Sequence, residues 1–203
     1  MTFRPTLLPV LALATSALAC SDPPPRPARL GLMMTLRTQS IPATEGRSCG
    51  AGTGITWDLG SPSPTSMSPG GTWEHETNDS DITCTVRDGG AFQARGGGVD
   101  PQIAAGSMPG NALINFTLSG TASQTAGAAN EAQASVYTTP TFEVRAPTTG
   151  FPPCRMTVVH EIKPGALWAD FECPALTDPS RTGVACRGFG TIVLEYCKTG
   201  EED

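Results

Sequence analysis

Residues 156–173 read MTVVHEIKPGALWADFEC, and their periodicity decides the fold class. Met156, Val158, His160 and Ile162 recur at every second position. Lys163-Pro164-Gly165-Ala166 then puts Pro and Gly at the centre of a turn, after which Leu167, Ala169, Phe171 and Cys173 recur at every second position again. Successive side chains along a strand point to opposite sides, so each half carries one apolar and one polar face. The stretch therefore predicts a β-hairpin with matched apolar faces.

The same period extends outward. Gly188 to Cys197 places Ile192, Leu194 and Tyr196 on one face, and Leu113 to Ser119 places Ile114, Phe116 and Leu118 on one face with Asn115 and Thr117 opposite. Ile55 to Leu59 and Ile82 to Val86 alternate as well. Val136 to Thr139 and Thr141 to Arg145 are weaker, because Pro140 between them belongs at an edge or a bend. Cys173-Pro174 to Cys186 reads as a loop. Thr121 to Ala134 is the one place where a short helix could hide, but Gly127 and the lack of large apolar residues favour a loop there. No long helical period competes, so the expected fold is all-β. It is an antiparallel β-sandwich of about seven to ten strands, with a β-barrel as the alternative, since strand count does not separate the two.

The N-terminal part carries an address. Met1 and Arg4 precede an apolar run that contains Pro9 and ends in Ala17-Leu18-Ala19-Cys20, followed at once by Ser21-Asp22-Pro23-Pro24-Pro25. A positive start, an apolar centre of about 7–15 residues and small residues before a cut are the parts of a secretory leader. The run is shorter than the roughly 20 residues of a bilayer-spanning helix. Its end resembles the lipobox of bacterial lipoproteins. That resemblance implies that residues 1–19 are removed, that Cys20 carries lipid on its sulfur and usually on its new N-terminus, and that these chains hold the protein stably on a membrane. It also implies a cell-envelope location, with the outer membrane favoured over the inner because Ser21 rather than Asp follows the cysteine. The Ala17-x-Ala19 pattern would suit plain secretion too.

Cysteine parity separates these two readings. The seven cysteines are Cys20, Cys49, Cys84, Cys154, Cys173, Cys186 and Cys197. With Cys20 lipidated, an even set remains that can pair fully in an oxidising compartment, whereas plain secretion leaves one thiol over. Six cysteines allow 15 connectivities. Proximity suggests Cys49 with Cys84 and Cys173 with Cys186, which leaves Cys154 with Cys197. Each bridge would stabilise the fold by about 2–4 kcal/mol by restricting the unfolded chain. Zinc is the weaker reading of these residues, because no Cys-x-x-Cys occurs.

The expected organisation is a leader (1–19), a lipidated N-terminus with a Pro-rich tether (20–46) and a single β-rich domain (47–203). Within the tether, Leu30 to Leu36 is apolar enough to be a first strand docked on the domain, or else a sticky part of the spacer. The net charge of −6 becomes more negative once the leader takes Arg4 away. That sign speaks against nucleic acid as a partner, and against a basic patch that binds anionic head groups.

No motif prescribes a reaction. Glu74 to Asp81 gathers hard oxygen ligands but lacks the Gly at the sixth place and the acid at the twelfth place of a calcium loop, and it reads equally as a solvated turn. His75 and His160 are the two histidines, and Gly106-Ser107-Met108-Pro109-Gly110 has its serine one place too early for a nucleophile elbow. Asp170 and Glu172 alternate outward beside Trp168, which could make a sugar platform or an ordinary solvent face. No catalytic residue, metal site or cofactor is therefore expected. The expected role is a non-enzymatic binding or structural module of the envelope, held to the membrane through its lipid, with a protein or glycan partner. The alternatives are a hydrolase of envelope polysaccharide or peptide, and a carrier of a small apolar ligand.

Overall fold

The computed structural model describes residues 25–38, 55–59, 73–76, 80–99, 113–138, 142–145, 152–177 and 185–200. Among these the strands are β1 (Arg29–Thr38), β2 (Ile55–Leu59), β3 (Trp73–Glu74), β4 (Asp81–Val86), β5 (Ala91–Val99), β6 (Leu113–Thr121), β7 (Glu131–Thr138), β8 (Phe142–Arg145), β9 (Cys154–Lys163), β10 (Ala166–Thr177) and β11 (Ala185–Glu195). They form one antiparallel sheet in the order β2-β1-β11-β10-β8-β7-β6-β5-β4, with β3 also on β1, and β9 on both β10 and β7. The leader, Cys20, Cys49 and the Gly106–Gly110 segment lie outside the described residues.

The all-β, antiparallel expectation holds, but hydrogen bonds join the strands into a single sheet where a sandwich would have two. The sheet curls until its β4 edge meets the chain leaving β11. There the Val86 N–H donates to the Lys198 carbonyl at 2.9 Å and the Lys198 N–H donates to the Cys84 carbonyl at 3.0 Å. The Gly165 N–H in the β9–β10 turn donates to the Val86 carbonyl at 2.9 Å. Inside the curl, β1 contributes Leu30, Leu32, Met34 and Leu36, β10 contributes Leu167, Ala169, Phe171 and Cys173, and β11 contributes Ile192 and Leu194, all buried. A large aliphatic side chain taken fully out of water stabilises the fold by about 1.5–3 kcal/mol. Of the two readings of residues 30–36, the strand holds, so the span 20–46 assigned to a tether contains β1, which lies between β2 and β11.

The decisive hairpin forms where expected, with Gly165 at φ +79 in its turn. Its β10 face is as expected, while β9 departs from strict alternation. Its register with β10 slips twice, so that Met156 faces Phe171, Val158 faces Asp170, Val159 faces Ala169 and Glu161 faces Trp168. Thr157 and His160 are thus extra residues in two β-bulges, each of which reverses the facing of the residues C-terminal to it. Met156, Val159 and Ile162 turn inward as a result, and Val158 is 47% exposed. The expected Met156-Val158-His160-Ile162 face does not exist. A third bulge, between Cys173 and Leu176, lets β10 run through Pro174 to Thr177, so the expected loop after Cys173 begins later.

The expected cysteine pairs are corrected by this topology. Cys84 bonds Cys197, and Cys154 bonds Cys173. Cys186 is disulfide-bonded as well. Proximity in sequence misleads because curling brings the end of β4 to the residues just after β11, while Cys154 and Cys173 sit on neighbouring strands with Cα atoms 4.0 Å apart. Of the Thr121 to Ala134 stretch, Ala122 to Asn130 is a loop as favoured, while Thr121 ends β6 and Glu131 to Ala134 already belong to β7. The Asn130 side chain accepts from the Ser123 N–H and donates to the Ser123 carbonyl, replacing the backbone bonds that a helix would supply.

Candidate functional site

The polar side of β9, β10 and β11 gathers the chemistry-bearing side chains. Asp170 lies opposite Thr191 in the ladder, and the Thr191 hydroxyl donates to Asp170 Oδ1 at 2.6 Å. His160 Nε2 lies 3.0 Å from Asp170 Oδ2. It reaches that point because its bulge turns the imidazole outward, away from the apolar face assigned to it from sequence. The ring also stacks on Trp168, centroids 4.4 Å apart. One step along β10, Glu172 Oε1 accepts from Arg187 Nε at 2.9 Å and from Arg187 Nη2 at 2.7 Å, and Arg155 Nη2 lies 3.4 Å from Oε2. Asp170 and Glu172 thus project outward beside Trp168 as expected, but with their oxygens already engaged. The Trp168 indole N–H is buried with no acceptor.

His75 serves a different end. Its Nδ1 accepts the Ile82 N–H at 3.0 Å, so the imidazole caps part of the exposed β4 edge. Around it, Glu74 pairs with Arg29 at 3.0 Å, and the carboxylates of Glu76 and Asp81 lie 3.9 and 3.8 Å from its ring nitrogens. The rest of the oxygen-rich run, Thr77 to Asp79, lies outside the described residues.

These geometries bear on the chemistry. Acyl transfer by a hydroxyl needs the nucleophile on the base and the acid behind the base. Here the order is Thr191, Asp170, His160, with the acid in the middle, and Thr191 is only 1% exposed, so it presents no surface to a substrate. The trio instead links three adjacent strands. A sugar platform would use a free indole face, and His160 occupies one face of Trp168. Asp170→Ala should cost about 1–3 kcal/mol, because it strands the buried Thr191 hydroxyl. Asp170→Asn, which keeps an acceptor there, should cost less. Urea denaturation reads both, and an alanine variant as stable as the wild type would refute the linking role.

A second feature lies where β11 ends. Tyr196 has φ +55, unusual for a bulky residue, and is 40% exposed. Arg26 Nη1 donates to its hydroxyl at 2.7 Å, and the guanidinium carbons of Arg26 and Arg29 lie 5.1 and 5.4 Å from its ring centroid. This is cation–π geometry on an aromatic ring. Beside it opens a cleft of about 400 Å³ lined by Lys163, Gly165, Trp168, Val193, Tyr196 and Thr199. Sequence reasoning missed Arg26, Thr191 and the role of Tyr196. The alternation that set Tyr196 on the face of Ile192 and Leu194 does not reach it, because β11 ends at Glu195 and the positive φ at Tyr196 leaves the ring exposed while Ile192 and Leu194 are buried.

Comparison with family models, with curated proteins and with solved structures finds no match to this chain.

Proposed function

We propose that this chain is a bacterial lipoprotein whose β-domain is held at the extracytoplasmic side of the cell envelope by acyl chains on Cys20. It acts there as a non-enzymatic binding or structural module. The observation that carries the reading is the cysteine at the end of the leader, the odd member of a set of seven. Support comes from Cys84, Cys154, Cys173, Cys186 and Cys197, all in disulfides, which fit an oxidising compartment. The engagement of Asp170 by Thr191 and His160 supports a structural use of the polar residues. We also read the curled sheet as a partly closed barrel rather than a sandwich. The bonds between β4 and Lys198 support that choice.

Feeding cells an alkyne-tagged fatty acid tests the anchor. The wild-type chain should take up label and sediment with membranes, and Cys20→Ala should lose both properties. Unchanged labelling and fractionation of the variant would refute the proposal.

A further inference from the structure

The disulfides leave little freedom to the remaining cysteines. Cys84 with Cys197 and Cys154 with Cys173 take up four of the seven. Cys186 is disulfide-bonded too, fully buried near the start of β11. Its partner is therefore Cys20 or Cys49, both of which lie outside the described residues. Whichever of the two bonds it, the other keeps its thiol.

Strand register and chain length choose between them. Cys186 lies opposite Thr38, the last residue of β1, and Ile55, the first residue of β2, lies opposite Leu36. The connection that carries Cys49 thus leaves the sheet beside Cys186 and re-enters it two ladder positions away. Cys49 is six residues before Ile55, and six extended residues reach about 20 Å, so Cys49 stays within that distance of Ile55 whatever path they take. Cys20 comes from the opposite end. β1 begins at Arg29, opposite Glu195, and the ladder from there to Thr38 and Cys186 measures about 30 Å at strand rise. The Ala28 carbonyl accepts the His75 N–H, so Ala28 continues the line of β1, and Arg26 is held at that end by its bond to the Tyr196 hydroxyl. Cys20 is six residues before Arg26, about 20–22 Å at full extension, and the Cα atoms of a disulfide add about 4.4–6.8 Å. The total falls short of Cys186.

We infer that Cys186 is bonded to Cys49, which leaves Cys20 as the one cysteine of the chain outside a disulfide, its sulfur open to modification. The assignment goes beyond the lipoprotein reading and does not depend on it, since it uses strand register and chain length. A bond from Cys186 to Cys20 would instead block the sulfur that the lipid requires. Forming the bond between Cys49 and Cys186 removes two electrons and two protons from their thiols, and these pass to the disulfide of a dithiol oxidant, which leaves reduced.

Thiol mapping of the unfolded, unreduced chain tests the pairing. Protein purified from its native host is dissolved in guanidinium chloride with excess N-ethylmaleimide, which prevents exchange, then digested without reductant, and peptide mass spectrometry locates every alkylated and every cross-linked cysteine. The wild type should yield a cross-linked pair of peptides holding Cys49 and Cys186. Cys49→Ser should expose one newly alkylated thiol, at Cys186, and Cys20→Ala should expose none. The wild-type map needs no variant to fold. A cross-link between Cys20 and Cys186, or alkylation of Cys186 in the Cys20→Ala protein, overturns the inference and lipidation with it. A wild-type Cys49 found alkylated overturns the inference and leaves the anchor standing. A cross-link between Cys49 and Cys186 beside an unacylated Cys20 upholds the inference and overturns the anchor alone.

Discussion

Cys84→Ala/Cys197→Ala should lower stability by about 4–5 kcal/mol, and Cys154→Ala/Cys173→Ala by about 3 kcal/mol, following the loop-entropy account of disulfides. The difference arises from sequence separation, 113 residues for the first bridge and 19 for the second. A longer closed loop removes more freedom from the unfolded chain. The first bridge also lies where the β4 edge meets the chain leaving β11, so its loss should bare backbone groups of Cys84 and Val86. Exposed strand edges pair with other chains. Thermal melts followed by circular dichroism should show a drop on the order of 10 °C for the first double variant, accompanied by concentration-dependent aggregation. Equal drops for the two variants would show that closure is not held at this corner.

Gly190→Ala is the second large effect expected. Gly190 faces Met34 of β1 and Phe171 of β10 in the ladders. A Cβ built there falls on the Met33 carbonyl oxygen, with the Met33 carbonyl carbon and Met34 Cα each 2.9 Å away. Every one of these atoms is backbone, so no rotamer change relieves the overlap, and β1 must move away from β11. Overpacking of this kind costs about 1–3 kcal/mol where side chains can yield, and a value at or above the top of that range is expected here. Gly89→Ala provides the contrast. Gly89 has φ +82 with open space around its would-be Cβ, so only the left-handed backbone penalty of about 1 kcal/mol applies. Chemical denaturation of both variants decides the matter. If Gly190→Ala is no worse than Gly89→Ala, the close approach of β1 and β11 is not what requires glycine.

Gly190 also illustrates where sequence reading stops. Gly188 to Cys197 is legible as a strand, but in Arg95-Gly96-Gly97-Gly98 glycine looks like a strand breaker, and β5 escapes a period-two reading for that reason although Phe92 and Ala94 alternate with Gln93 and Arg95. In the folded sheet, Phe116 and Leu30 crowd the space beside Gly96, and Met34 and Leu176 crowd the space beside Gly188. These glycines make room for side chains from strands distant in sequence, and no local pattern reports such neighbours. The β9 bulges are hidden for a related reason. Met-Thr-Val-Val-His-Glu-Ile matches a period of two as well as it matches inward residues at Met156, Val159 and Ile162, and the β10 ladder selects between them.

For the candidate site the division is similar. The outward placement of Asp170, Glu172 and Trp168 is legible in the sequence, because β10 alternates cleanly up to Cys173. That Asp170 joins Thr191 to His160 depends on the β10–β11 register and on one bulge, and both arise from pairing across strands.

Side-chain alternation along each segment determined that this chain is an antiparallel β protein, because facing in a strand depends on the dihedrals of that strand alone. The proposed address rests in the same local way on the residues around Cys20. The single curled sheet, the disulfide partners, the polar link at Asp170 and the placing of Arg26 and Arg29 on the Tyr196 ring were decided only by tertiary structure. Each depends on which strand ends meet when the sheet bends, and that is set by packing a shared core rather than by any one segment.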